Sequence, residues 1–134
     1  MRPERVPGDG AKAAKDFLSD VLPPLFTPTP TVGLALRDDW ALSESPAHLA
    51  VFDDGGPSEW PITQRTTLRV TVWDSDRSRA REVAGRAAGI LYARDVPGLA
   101  WVGAPSSILE DVDPDNGAIL ASFTIPTQVR TLAV

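Results

Sequence analysis

The hydrophobic and polar positions change period within one stretch, and that change predicts the core of the protein. Over residues 64–73, Leu68, Val70 and Val72 alternate with Thr67, Arg69, Thr71 and Trp73, the two-residue period of a strand buried on one face. Beyond Asp74-Ser75-Asp76 the period becomes helical. Ala80, Val83, Ala84, Ala87, Ala88 and Leu91 fall on one stripe, and Arg77, Arg79, Arg81 and Arg86 lie largely off it. Ser or Asp at the joint can accept hydrogen bonds from the free N–H groups of a first helical turn, and negative charge suits that end of the dipole. The helix is therefore expected to start at about Asp76. A strand of roughly ten residues spans about 33 Å and a helix of roughly eighteen about 27 Å, so the helix can fold back over the Leu68, Val70 and Val72 face.

Along the rest of the chain, residues 1–8 are polar and proline-bearing and predict an arm. Ala14, Phe17, Leu18 and Val21 recur at helical spacing and predict a first helix over residues 10–22, with Asp9 as its cap and Pro23-Pro24 as its stop. The proline-rich residues 23–33 are expected to run extended over the surface, with Leu25 and Phe26 against the core. Short strands are expected over residues 32–36 and 47–52, joined by a polar surface loop that carries an exposed or half-buried Trp40. Residues 53–58 are a turn signal. After the second helix, residues 95–98 break the chain, and residues 99–102 form a short strand or a packed loop.

The last third reads as a hairpin with its turn at residues 113–117. In its second strand Ile119, Ala121, Phe123, Ile125 and Val129 share a face, and Pro126, lacking a ladder donor, predicts an edge position or a bulge. The element order predicts an α+β fold: a mainly antiparallel sheet of about four to five strands with two helices packed on one face. A single domain is expected over residues 1–134, with 1–9 as a flexible arm.

Composition narrows the chemistry. The 134 residues include no cysteine and one histidine, His48, which excludes disulfides, thiolate chemistry and multi-histidine zinc sites. No apolar run approaches a membrane span and the amino end has no signal-peptide core, so no membrane association and a cytoplasmic site of synthesis are expected. A formal net charge of −5 argues against wrapping nucleic acid, because backbone affinity comes from surplus Lys and Arg.

The candidate sites are few. Asp111, Asp113 and Asp115 alternate ahead of Gly117, but a calcium loop counted from Asp111 would need Gly and Glu where Asn116 and Ser122 stand. A solvated turn is predicted, with no metal and no cofactor. Asp74 and Asp76 could form a general acid/base or metal-binding pair and are better explained as helix capping. His48 has no nucleophile elbow to serve, and Gly55-Gly56 and Gly85/Gly89 form no phosphate loop. Gly85 and Gly89 are instead expected to allow close helix–sheet packing. No catalytic residue is therefore assigned. Trp40, Trp60, Trp73 and Trp101 all fall at loops or strand ends, where they either close the core's edges or anchor a protein interface. Trp73 shares its face with Arg69, and the oligomer-interface candidates are Trp73, Arg69, Trp60 and Trp40.

With the strand–helix unit LRVTVWDSDRSRAREVAGRAAGILYA, the acidic hairpin EDVDPDNGAILASFTIPTQVR, this length and a leading helix, the chain resembles the tail terminator (tail completion) proteins of long-tailed bacteriophages. The resemblance implies a small non-enzymatic subunit that assembles into a homohexameric ring on the finished tail tube. Such a ring stops tube growth and presents a joint to the head-side connector or stopper protein, while DNA passes through without specific binding. It places the protein in the virion tail, and in the host cytoplasm during assembly. It makes residues 23–30, the 53–61 loop and the amino-terminal arm candidates for contact with neighbours. The alternatives are a head–tail connector or neck subunit and, from another class, a small α+β enzyme or ligand-binding domain using Asp74/Asp76 near Trp73.

Overall fold

A computed structural model describes residues 2–60 and 62–134. In chain order these form β1 (Arg5–Val6), α1 (Gly10–Val21), a 3-10 turn at Pro23–Leu25, β2 (Thr31–Gly33), β3 (His48–Asp53) and β4 (Ser58–Glu59). There follow β5 (Thr63–Asp74), α2 (Arg77–Ala93), β6 (Trp101–Val102), β7 (Leu109–Val112), β8 (Ile119–Arg130) and β9 (Leu132–Ala133).

The spine of the sheet is the antiparallel pair β5–β8, unbroken from Thr63 opposite Arg130 to Asp74 opposite Ile119. β3 lies on the other side of β5, and β2 lies beyond it in parallel. β4 pairs with the first residues of β5, whereas β6 and β7 pair with opposite ends of β8.

The expected sheet of four to five strands is therefore corrected. The fold is a sheet-rich α+β one, whose main sheet holds six strands and the two-residue β4, with a separate β1–β9 pair. Strands of two to four residues are too short to show a period of their own; β4 takes its hydrogen bonds from β5, and β6 and β7 take theirs from β8. Within the stretch expected to be an arm, two residues join a strand pair. Arg5 and Val6 pair with Ala133 and Leu132, and the Arg5 guanidinium donates to Thr131 Oγ1 at 2.6 Å and to its carbonyl at 2.8 Å.

Both helices cover one face. Leu68, Val70 and Val72 from β5, Leu49 and Val51 from β3, and Phe123 and Ile125 from β8 are buried there against Leu18 of α1 and Val83 and Leu91 of α2. Alanines at 80, 84, 87 and 88 give α2 its close approach. Gly85 and Gly89, expected in that role, are exposed instead; a methyl group at Gly89 would meet nothing within 4 Å. Asp9 caps α1 by accepting from the Lys12 N–H, and Asp76 caps α2 by accepting from the Arg79 N–H, both at 3.0 Å. The proline-rich segment begins as a helical turn, not an extended run, and Phe26 packs on the core while Leu25 stays exposed.

Pro126 also departs from expectation, since it sits mid-strand in β8 without a bulge. Its carbonyl accepts from the Gly103 N–H on the side away from β5. In an antiparallel ladder a residue's nitrogen points the same way as its carbonyl, so the missing donor faces the gap where β6 has ended and β7 has not begun.

Candidate assembly surface

The same alternation that buries Leu68, Val70 and Val72 sends Arg65, Thr67, Arg69, Thr71 and Trp73 to the opposite face. There they meet Gln128, Pro126, Thr124, Ser122 and Leu120 of β8. Loop 34–47 covers one end of this face, where Trp40, Ala50, Trp73 and Ala118 form a second small core with Leu36, Phe52 and Leu120 around it. The remainder carries no helix.

On that bare part stand two large exposed side chains. Trp101, opposite Gln128, is 51% exposed, and Leu109, opposite Ser122, is 68% exposed. Trp101 lies folded over Gly103, where an added methyl group would come within 2.5 Å of the indole and 2.7 Å of Pro126. Only glycine leaves the ring that place. Between Trp101, Pro126, Gln128, Arg65 and the Gly56-Pro57 loop runs an open depression of about 390 Å³.

At the Thr63–Arg130 end the sheet meets the β1–β9 pair. Trp60, 50% exposed, stands with Arg2, Pro3 and Arg5 around a second depression of about 470 Å³. Ile62, 73% exposed, lies beside Arg5 and Arg130 along a third. This end thus joins arginines to uncovered apolar side chains, the composition that interface centres favour.

The four interface candidates separate into two kinds. Trp40 and Trp73 are each 8% exposed and belong to the subunit's own second core, so they have little surface to offer a partner. Trp40 donates its indole N–H to the Pro46 carbonyl at 2.9 Å, and Trp73 donates to Asp113 Oδ2 at 2.9 Å. Arg69 remains half-buried, with its guanidinium 4.5 Å above the Phe52 ring and its Nε 3.2 Å from Asp54. Trp60 is open. Trp101, weighed from sequence beside the other tryptophans but not among the four candidates, completes the surface with Leu109 and Ile62, which were not singled out. A tryptophan at a strand end reads alike whether a loop folds over it or not.

The carboxylate pair comes apart into two structural roles. Asp74 is fully buried and its oxygens receive Arg79 Nε and Nη2, both at 2.6 Å, along with the Asp76 N–H at 3.2 Å. The hydrogen bonds that the Arg79 guanidinium donates to Asp74 hold it still more firmly protonated than usual. Asp76 is the cap of α2.

His48 is buried, and its Nε2 donates to the Ala35 carbonyl at 2.7 Å, because a carbonyl can only accept. Its Nδ1 then accepts from the Thr31 hydroxyl at 2.6 Å. Burial lowers its pKa below 6.5, in keeping with this neutral form. In the hairpin turn Asp113 accepts from the Asp115 N–H as well as from Trp73. Among the described residues no three His, Cys, Asp or Glu side chains are placed to share a metal ion, and no helix is long and apolar enough to cross a membrane. No protein-family model matches the sequence, and no curated protein matches it.

Proposed function

We propose that this chain is a virion structural protein of a long-tailed bacteriophage, a ring-forming tail terminator that caps the tail tube, stops its polymerisation and forms the joint to the head-side connector. The observation that carries the reading is the bare sheet face with its adjoining arginine-rich end, where Trp60, Trp101, Ile62 and Leu109 stay uncovered in the subunit. Surfaces of that kind are expected to be covered by partners. The strand–helix unit and acidic hairpin that carry the family resemblance also supply the spine of this fold. A net charge of −5 suits a subunit surrounding a DNA channel, since like charge keeps the passing duplex from sticking.

The enzyme alternative loses support where Asp74 is concerned. Both of its oxygens are engaged by Arg79 in a buried pair, which leaves this carboxylate no free oxygen to offer a substrate.

The test is the mass of the purified protein in solution, followed by negative-stain imaging with purified tail tubes. Six-membered rings capping one end of the tubes are the expected result. Binding to portal complexes in place of tubes would transfer the assignment to a neck connector, and binding to neither would overturn the virion reading.

A further inference from the structure

Exposed charges that make no ion pair among the described residues stand at both ends of the sheet, with opposite sign. At the Thr63–Arg130 end, Arg2, Arg5 and Arg130 surround Trp60 and Ile62; the acids of this part of the chain are Glu4, Asp9 and Glu59, the last paired through its backbone with Thr63. Arg2 and Arg130 are exposed and make no ion pair among the described residues.

At the Asp74–Ile119 end the balance reverses. The β7–β8 hairpin carries Asp111 and Asp115, exposed and without ion pairs among the described residues. Glu110 is already held by Arg77 at 2.6 Å and Arg81 at 2.9 Å, and Asp113 by Trp73. Leu109 and Val112 stand exposed on the same strand. The 34–47 loop beside the turn adds Asp38 and Glu44, both exposed, while Asp39 is paired with Arg37.

One end therefore offers the arginines Arg2 and Arg130, unpaired among the described residues, with uncovered apolar side chains, and the other offers the likewise unpaired carboxylates Asp111 and Asp115 with uncovered apolar side chains. Twelve-residue strands separate them by roughly 36 Å at about 3.3 Å per step, so a single copy cannot bring its two ends together. We infer that the basic end of one subunit, built from Arg2, Arg130, Trp60 and Ile62, receives the acidic hairpin of a second copy, built from Leu109, Asp111, Val112 and Asp115. The contact is heterologous: each copy has one of each surface, so the chain repeats head to tail until a rotation closes it. The identification of that closed assembly with a terminator ring rests on the proposed function above. The charges steer and register the contact, and the apolar side chains fill it.

The test is a charge exchange. One variant carries Arg2→Glu and Arg130→Glu, and the other carries Asp111→Lys and Asp115→Lys. Sedimentation velocity and native mass spectrometry are recorded on each variant and on their equimolar mixture. The wild-type chain is expected to self-associate at low salt and to lose association as salt shortens the screening length from about 10 Å at 0.1 M to about 3 Å at 1 M. Each variant alone sets like charge against like, and its association is expected to weaken by about tenfold or more. The mixture restores assembly, with the two variants alternating. Should either double variant fail to fold by circular dichroism, Arg130→Gln and Asp111→Asn are measured instead, each expected to weaken association and to reduce its salt dependence.

Three results overturn the inference: a wild-type chain monomeric at every soluble concentration, variants that associate as the wild type does, or a mixture that stays dissociated. The last is what a basic end built for some other acidic partner would give. Tail-tube capping is read separately. A chain that caps tubes but fails the exchange keeps its proposed function and loses this contact, and one that passes the exchange but ignores tubes keeps the contact and loses the function.

Discussion

Trp73, at the end of β5, donates its indole N–H to Asp113 in the turn of the β7–β8 hairpin, at 2.9 Å. This bond ties the spine of the sheet to its acidic end, and the indole packs between His48 and Phe52 with ring centroids 6.3 and 6.4 Å away. Removing the carboxylate with Asp113→Ala leaves a nearly buried N–H without its acceptor, and the expected cost is about 1–3 kcal/mol in urea denaturation followed by tryptophan fluorescence.

Asp113 also has a pH signature. The Asp115 backbone N–H and then the Trp73 indole hold its carboxyl below the ordinary value of 3.8. The stabilisation is therefore complete above that ordinary value and is lost as pH falls through the lower folded one. In Asp113→Asn this part of the acid-unfolding limb is expected to vanish. A limb unchanged from wild type would show that the turn carboxylate is not coupled to folding.

Asp74 and Asp76, two residues apart, are expected to respond very differently to the same substitution. Asp76→Asn keeps a side-chain oxygen able to cap α2, so it is expected to cost less than about 0.5 kcal/mol. Asp74→Asn strips the buried partner from Arg79, whose side chain is 33% exposed. Solvent access to Arg79 brings the expected loss to about 2–3 kcal/mol, below the full range for a wholly buried pair. Equal and small effects on thermal stability would reopen a role for this pair outside folding.

His48 predicts a second pH dependence at higher pH. Burial lowers its folded pKa below 6.5, so the unfolded chain takes up the proton first as pH falls. Stability is full above 6.5 and declines below it until the folded ring protonates in its turn. His48→Gln keeps an amide N–H to offer the Ala35 carbonyl and removes the titration. Its denaturation midpoint is expected to be flat across this window, after an initial loss of about 1–3 kcal/mol for imperfect replacement of the two hydrogen bonds.

Some of this architecture is legible in the sequence, and the boundary has physical causes. The period of β5 and the cap at Asp76 are local, and a local reading finds them. Alternation also assigns Trp73 to the helix-free face. Its burial depends on loop 34–47, which has no period and folds over that face through Trp40 and Leu36. Asp74 reads as part of the helix start because its pairing with Arg79 depends on how the chain turns between them. Pro126 misleads because its missing donor matters on one side of β8 only, and where β6 stops is a tertiary fact. The assembly surface is the least legible part. Trp101 and Leu109 are ordinary strand residues whose significance is that nothing in the subunit covers them.

The helix glycines offer the reverse of the usual expectation for a buried small residue. Gly89 lies on the solvent side of α2, one position from buried Ala88 and Ile90, and a methyl group there would meet nothing within 4 Å. Gly85 is similar, with only the tip of Ile108 at 3.7 Å. If neither glycine serves packing, each only adds backbone freedom to the unfolded chain, and alanine should remove that freedom without a clash. Gly89→Ala is expected to stabilise the protein by about 0.5–1 kcal/mol, seen as a raised denaturation midpoint with an unchanged slope. A destabilised Gly89→Ala variant would mean that α2 lies closer to a neighbouring element at this position than the subunit fold places it.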